Sequence, residues 1–238
     1  MSMAAMGSNT DFAKTQPLGF DAPAGSATAD LTATRISGPL PIALLPQRRD
    51  GAVLFTEVRG LISMAGVLEP AQVLSLTSEF CNYVADSVAA AGGEAIGLHH
   101  DATLSVFCRG SATNSAQRAI RAAQQIQGGF AAIAERWRQS CGLRTALSQG
   151  MHLGEITLGD AGPRGAERRL ALGDSVTVGH YILRRARTGE IVMSDSVMGA
   201  LSVDNLNLDA EPLPQLEIAR RQPIRIYGVL LEERLDFT

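Results

Sequence analysis

Cysteine is scarce in this sequence of 238 residues, and its placement excludes the usual cysteine-dependent frameworks. Cys81, Cys108 and Cys141 are far apart, odd in number, and form no Cys-x-x-Cys pair. A disulfide-linked domain or a structural zinc site needs paired or closely spaced cysteines. We therefore expect reduced thiols that pack as small hydrophobic side chains in a cytoplasmic protein.

Long apolar runs and an excess of positive charge are also missing. No stretch approaches the ~20 apolar residues of a membrane helix, and no basic start followed by an apolar segment resembles a signal peptide. The formal net charge of −3 argues against nucleic acid, or an anionic membrane, as the main partner. A small molecule or another protein is the expected partner.

The composition that remains, 45% hydrophobic and 19% charged, is globular and sufficient for one core with a tail. Residues 1–49 are rich in Ala, Ser, Thr, Gly and Pro and show no regular period, so we interpret them as a flexible tail or interaction segment. Within them, GPLPIALLP at residues 38–46 is apolar and either packs on the domain or binds a protein partner. Residues 50–238 are the expected folded domain.

Hydrophobic periodicity predicts an α+β fold for this domain. Apolar runs predict strands at residues 52–58, 95–98, 103–107, 143–152 and 155–158. Helical spacing predicts helices at residues 70–91 and 114–139. The resulting order βαββαβ is ferredoxin-like, with two helices on one face of an antiparallel sheet. Beyond it we expect a helix near residues 175–187 and strands at 190–193 and 224–231.

Two acids stand out by their positions in this order. Glu57 lies at the end of the first strand, and Asp101 lies at the tip of the following hairpin. Those strands are neighbours in a ferredoxin-like sheet, and two converging carboxylates suit a hard cation such as Mg²⁺. From these residues alone, Glu57 is either a metal ligand or a solvated acid that ends a strand.

Five segments of the chain match one known family in order and spacing. VLFTEVRGLISMAGVLEP corresponds to an opening strand, turn and helix start, and HDATLSVF to a metal-binding hairpin. GMHLGEITLGDAG and LALGDSVTV correspond to a later strand pair and the start of a dimer-interface helix, and RRQPIRIYGVLLE to the last strand. From about residue 52 to residue 230, the chain thus resembles the catalytic domain of class III adenylate and guanylate cyclases.

The resemblance implies a domain that dimerises head to tail, as a homodimer or as a heterodimer with another cyclase-type domain. At the subunit interface the family converts a nucleoside triphosphate to a cyclic nucleotide and pyrophosphate, using two Mg²⁺ or Mn²⁺ ions. The family's metal acids correspond to Glu57 and Asp101. Its phosphate-holding turn corresponds to Gly60, Leu61 and Ile62, where backbone N–H donors survive the changed side chains.

Other family positions have changed in this chain. The asparagine and arginine of the interface helix are replaced by Thr177 and Tyr181, and a tyrosine supplies no permanent positive charge to phosphates. The two base-recognising positions fall on Gly97 and Leu170, whose side chains do not hydrogen-bond a purine edge.

Arg220, or its neighbour Arg221, lies where the family has a basic phosphate contact. Two functions follow from this mixture of retained and lost positions. The first function is a degenerate regulatory or scaffolding module in signalling that binds nucleotide at a dimer groove. The alternative is an active nucleotidyl cyclase, either as the metal-bearing half of a heterodimer or as a slow homodimer.

Overall fold

The computed structural model describes residues 45–61, 66–99, 101–203 and 208–230. Most of the predicted tail and Ile62 lie outside the described residues. The first described strand begins at Gln47, inside the region predicted to be tail. All the described elements belong to the compact unit Leu40–Thr238.

Eight strands and four helices make up the described part of the domain. The strands are β1 (Gln47–Arg59), β2 (Glu94–His99), β3 (Ala102–Phe107), β4 (Ala146–Ala161), β5 (Arg168–Leu172), β6 (Glu190–Ser194), β7 (Glu211–Leu216) and β8 (Ile224–Leu230). The helices are α1 (Pro70–Ala90), α2 (Ala112–Cys141), α3 (Asp174–Leu183) and α4 (Asp195–Ser202). None of these helices is long and apolar enough to cross a membrane.

One sheet with the strand order β2-β3-β1-β4-β6-β8-β7 contains these strands, and β5 pairs with β4 outside that path. Its pairings are antiparallel except for β4 with β6, which run parallel. The first six elements follow the order βαββαβ. The predicted ferredoxin-like α+β fold is therefore confirmed.

Several elements differ from the prediction. The two strands expected at 143–152 and 155–158 are the single strand β4, because Gly154 keeps its pairing with Gly51 of β1. Strand β7 contains Pro212 and Pro214, which obscure a strand pattern and are tolerated because β7 is an edge strand. Strand β5 and helix α4 were also not predicted, since both are short.

The two faces of the sheet carry different layers. Leu54 and Val58 of β1 belong to the large core that α1, α2 and α4 form on one face. Val53 and Phe55 alternate with them and pack on the opposite face in a second core that includes Leu183 of α3. Side chains at odd positions of β1 therefore point towards α3.

Helix α3 lies very close to the sheet because small residues separate them. A Cβ added at Gly150 of β4 would overlap the backbone nitrogen of Leu183, and one added at Gly179 of α3 would lie 2.6 Å from Cγ2 of Val53. Neither position has room for a larger residue. This close contact fixes the height of α3 above the strands that carry the candidate site.

Candidate functional site

Glu57 occupies the α3 side of β1, as its odd position requires, and only 6% of the residue is exposed. It pairs with Ala102 of β3, and Asp101 immediately precedes that residue. The structure thus brings the two predicted acids close together, with Asp101 in the turn between β2 and β3 and Glu57 on the neighbouring strand β1. A solvated acid at a strand end does not describe Glu57, because its side chain is buried.

Two arginines accompany these acids. The Nη1 atom of Arg59 lies 3.3 Å from Oε1 of Glu57, and its Nε donates a 2.9 Å hydrogen bond to Oγ of Ser148. Arg184, just beyond α3, places Nη1 3.8 Å from Oδ2 of Asp101. The guanidinium groups therefore offset part of the negative charge that the two carboxylates bring together.

Burial is the largest influence on the titration of Glu57. Desolvation raises the pKa of this carboxyl, and the positive charge of Arg59 partly opposes that rise. The carboxylate of Asp101 raises the pKa further, whereas Arg184 lowers it. Within the described residues, Oε2 of Glu57 is buried and has no hydrogen-bond partner. Ionised Glu57 therefore has one oxygen that lacks a compensating donor.

That oxygen is the observation that tests a divalent metal against this site. Mg²⁺ and Mn²⁺ take carboxylate oxygens, and Mg²⁺ needs only one or two of them when substrate phosphates and water supply the rest. Glu57 and Asp101 offer such a pair, so the donor set fits. No group of three or more His, Cys, Asp or Glu side chains suited to a metal occurs in the described ranges. A metal here would depend on phosphate oxygens for the rest of its ligands.

The predicted phosphate turn follows Glu57 at the end of β1. Gly60 has φ +93°, in the left-handed region that favours glycine. The side chain of Leu61 is buried in the core beneath α1 and α2. The turn can thus offer a ligand its backbone but not the Leu61 side chain, and Ile62 is not among the described residues.

A groove with a volume of about 380 Å³ lies between β2, β5 and the start of α3, and neither Glu57 nor Asp101 lines it. It brings together the predicted positions Gly97, Leu170 and Thr177. The groove is lined by Ile96, Gly97, Leu98, His99, Leu104, Arg168, Arg169, Leu170, Ala171, Leu172, Gly173, Val176 and Thr177. Most of the uncharged side chains are aliphatic, so the walls offer a planar base apolar contact and few hydrogen bonds.

Arg169 lines this groove and forms two ion pairs across it and behind it. Its Nε donates a 3.0 Å hydrogen bond to Oε1 of Glu94 on β2, and its Nη1 lies 3.7 Å from Oδ2 of Asp160 on β4. These contacts tie β5 to β2, although the two strands lie far apart in sheet order.

The two degenerate positions of α3 share its exposed side. Thr177 is exposed, and its Oγ1 donates a 3.4 Å hydrogen bond to the carbonyl of Gly173. Tyr181, one turn later, is 46% exposed and does not line the groove. Within a single chain, Tyr181 therefore does not contribute to the groove wall.

The basic positions at residues 220 and 221 have different surroundings. Arg221 forms an ion pair with Asp174, the first residue of α3. Arg220 is exposed and has φ +66°, an uncommon conformation for a residue other than glycine. Neither arginine lines the groove. Arg220 is the more available of the two for a phosphate that approaches from outside, because Arg221 is held by Asp174.

Sequence reasoning missed the contact of Arg59 with Glu57 at this site. The position of Arg59 was recoverable, since residues two apart in a strand share a face and Arg59 follows Glu57 by two. His152 lies on the face of β4 that points towards α3, because it pairs with Val53 of β1. Its Nδ1 atom is 2.8 Å from Oγ of Ser194. Desolvation lowers the pKa of His152 to about 4, so the ring is neutral near pH 7.

No protein-family model matches the sequence, and no curated protein matches it either. Solved structures do match the fold. The adenylyl cyclase CyaB from P. aeruginosa has a TM-score of 0.71 at 20% identity, over 82% of this chain and 100% of that one. The guanylyl cyclase Cya2 has a TM-score of 0.67 at 20% identity, over 76% of this chain and 92% of that one.

A third similar structure is a non-canonical dimeric guanylyl cyclase domain of the RhoGC fusion protein from the aquatic fungus Blastocladiella emersonii. The match has a TM-score of 0.65 at 16% identity, over 77% of this chain and 98% of that one. The expected resemblance to class III cyclase catalytic domains is therefore confirmed at the level of the fold.

Proposed function

We propose that this chain is a degenerate cyclase-fold module that dimerises through the α3 side of its sheet and binds a nucleotide in the groove. It acts as a regulatory or scaffolding partner in signalling, with little or no turnover of its own. The observation that carries the proposal is a contrast within one site. Glu57 and Asp101 are together, while Gly97, Leu170 and Tyr181 supply no side-chain charge to a bound nucleotide.

The groove supports nucleotide binding without base selection. Its aliphatic walls can hold a planar ring, and its volume falls within the range of small-molecule sites. Arg168 contributes a cation to the lining. Such a groove would bind purine and pyrimidine nucleotides with similar affinity, since base discrimination requires hydrogen bonds that these side chains do not make.

The exposed side of α3 supports dimerisation. Tyr181 is 46% exposed there. Exposed aromatic side chains are typical of protein interfaces. The similar domain from Blastocladiella emersonii forms a non-canonical dimer, which supports association of the present chain but does not identify this surface as the interface.

Loss of turnover follows from the chemistry at the transferred phosphate. Attack of a ribose 3′-oxygen on the α-phosphorus develops charge that a positioned cation must offset, and removal of one such donor typically costs about 10²- to 10³-fold in rate. In a homodimer both sites would contain Thr177 and Tyr181. When bound, a divalent metal at Glu57 and Asp101 would neutralise phosphate charge, but it would not replace that cation.

The test is to incubate the purified chain with each nucleoside triphosphate and Mn²⁺ or Mg²⁺ and to measure both binding and cyclic product. We expect nucleotide binding without product. Glu57→Ala should weaken metal-dependent binding, whereas Glu155→Ala, at an exposed acid of β4, should not. Cyclic product from the chain alone that disappears in Glu57→Ala would refute the degenerate module.

A second function is favoured by the retained acids. The chain can serve as the metal-bearing half of a heterodimer whose other subunit supplies the asparagine, arginine and base-recognising residues. Mixing the chain with an active cyclase domain that carries alanines at its own metal acids would test this function. Cyclic product from the mixture, abolished by Glu57→Ala in this chain, would support it over the degenerate module.

A further inference from the structure

Each of the two acids has an arginine as its counter-ion, and the first of these arginines is firmly held. The side chain of Arg59, which pairs with Glu57, is 28% exposed. It donates further hydrogen bonds to Oγ of Ser148 on β4 and to the carbonyl of Ala186 beyond α3. Arg59 is therefore fixed by three partners from three parts of the fold.

The second arginine, Arg184, is held far less firmly. Its side chain is 56% exposed, and within the described part of the chain its guanidinium forms one ion pair, 3.8 Å from Nη1 to Oδ2 of Asp101. That separation exceeds the about 2.7–2.9 Å of a charge-assisted hydrogen bond, and exposed ion pairs add little to stability. A change of partner by Arg184 should therefore cost little.

Arg184 also lies close to a position where the family has a cation. It is the C-cap residue of α3 and keeps a helical backbone, with φ −63° and ψ −15°. Residues three apart on a helix share a side, so Arg184 lies on the same side as Tyr181, one turn further along. Tyr181 replaces the arginine that the resemblance assigns to the triphosphate. Arg184 can thus supply a positive charge from the chain that carries Asp101.

The charges of this cluster balance without a metal. When Glu57 is ionised, the two carboxylates carry two negative charges, and Arg59 and Arg184 carry two positive ones. A divalent cation that arrives alone meets both guanidinium groups, and a triphosphate that arrives alone meets both carboxylates. If the two arrive together, the metal can pair with Asp101 and the phosphates with the displaced Arg184. Coulomb interactions therefore favour joint binding.

We propose that Arg184 is an exchangeable counter-ion of the candidate metal site. It pairs with Asp101 while no metal is bound, and it passes to the phosphate groups of a nucleoside triphosphate when a divalent metal takes its place at Asp101. That the ligand is a nucleotide rests on the proposed function, whereas the exchange itself requires a metal and a polyphosphate. Contact with the phosphates stabilises bound ligand and transition state alike, so it adds affinity without restoring turnover.

The first experiment measures the affinity of the full chain for Mn²⁺ alone, from the loss of the EPR signal of free Mn²⁺. Arg184→Gln removes a positive charge and releases Asp101, so it should bind Mn²⁺ several-fold more tightly than the parent chain. Arg184→Lys retains the charge and should behave like the parent. Arg185→Gln is the matched control, because Arg185 is also exposed whereas the ion pair with Asp101 belongs to Arg184.

The second experiment adds a phosphate ligand together with Mn²⁺ and measures its binding by calorimetry. The probes are inorganic tripolyphosphate and the α,β-methylene analogue of ATP, whose bridge does not cleave. Arg184→Gln should bind both at least about tenfold more weakly than the parent chain, because a charged donor to the phosphates is lost. One substitution thus changes two affinities in opposite directions, which a purely structural role would not do. An Arg184→Gln chain that binds Mn²⁺ no more tightly, or the phosphate probes no more weakly, would overturn the proposal.

Comparison of the two probes separates this inference from the proposed function. If both opposite changes occur but the ATP analogue binds no more tightly than tripolyphosphate, the role of Arg184 stands and nucleotide recognition in the groove is contradicted. If the analogue binds more tightly than tripolyphosphate, but equally to the parent chain and to Arg184→Gln, the groove binds nucleotide and the role of Arg184 is contradicted. Absence of binding for both probes would contradict both proposals.

Discussion

Arg59 follows Glu57 by two residues on the same face of β1, and 3.3 Å separates its Nη1 from Oε1 of the carboxylate. The same guanidinium reaches Ser148 on β4 and, through Nη2 at 3.3 Å, the carbonyl of Ala186 beyond α3. One arginine thus joins the strand of the acid, its neighbour in the sheet and the end of the covering helix. The charge of Glu57 is consequently linked to how α3 is held.

The stability of the protein should depend on the ionisation of Glu57. Burial raises the pKa of this carboxyl in the folded state, so its contribution to stability is greatest below the ordinary value of 4.5 and is lost as the pH rises above it. Glu57→Gln should therefore raise the free energy of unfolding at pH 8 by about 1 kcal/mol and leave it nearly unchanged at pH 4.

Chemical denaturation of both proteins at the two pH values measures this effect. Glu155→Gln is the matched control, because Glu155 is an exposed acid on β4 and should show no such difference. A loss of stability at pH 8 in Glu57→Gln would mean that the ion pair with Arg59 outweighs the cost of burying the charge.

His152 should oppose folding in acid. Its pKa is about 4 in the folded protein because of desolvation, against an ordinary value of 6.5. The unfolded chain therefore takes up a proton first as the pH falls, and stability should decrease between about pH 6.5 and pH 4, by at most roughly 3 kcal/mol. His152→Gln should flatten that part of the stability profile, and an NMR titration of the ring that gives a midpoint near 6.5 would contradict the expectation.

Two adjacent glycines of α2 should respond to alanine in opposite directions. A Cβ at Gly128 meets nothing within 4 Å, so Gly128→Ala should stabilise the protein by about 1 kcal/mol through helix propensity. A Cβ at Gly129 would overlap the hydroxyl of Tyr83, which donates to the carbonyl of Ile126 at 2.9 Å. Gly129→Ala should therefore destabilise it by about 1–3 kcal/mol. Thermal unfolding of the pair checks both signs.

Dimerisation through the α3 side should be sensitive to charge at Tyr181. Tyr181→Glu would place an unpaired acid in the proposed interface and should convert dimer to monomer at micromolar concentration, a loss of at least tenfold in affinity. Val203→Glu, at a more exposed apolar position after α4, should not change the oligomeric state. Sedimentation velocity distinguishes the two results, and a Tyr181→Glu protein that remained dimeric would place the interface elsewhere.

Much of the fold was accessible from the sequence because its central elements have clear periods. Helix α1 begins at Pro70 and α2 ends before Gly142, as the local pattern predicts. Strand β7 could not be predicted from the sequence, since its two prolines interrupt the alternating pattern of a strand. The length of strand β4 could not be predicted either, because its two halves are joined by pairing with β1 and not by any local preference.

The candidate site was predictable only in part. The proximity of Glu57 and Asp101 followed from the order of the strands alone. The contact of Arg184 with Asp101 and that of Arg169 with Glu94 depend on how α3 and β5 fold over the sheet. Such long-range contacts leave no local pattern in the sequence, so these two ion pairs could not be predicted from it.

The burial of Trp137 has a practical consequence for spectroscopy. It is the single tryptophan of the sequence, 2% exposed, with Nε1 donating at 2.8 Å to Oε2 of Glu79 and its ring 5.7 Å from that of Phe130. It lies in the α1 and α2 layer, across the sheet from the groove. Intrinsic fluorescence will therefore report loss of that layer during denaturation, while a ligand that enters the groove will leave the emission spectrum unaltered.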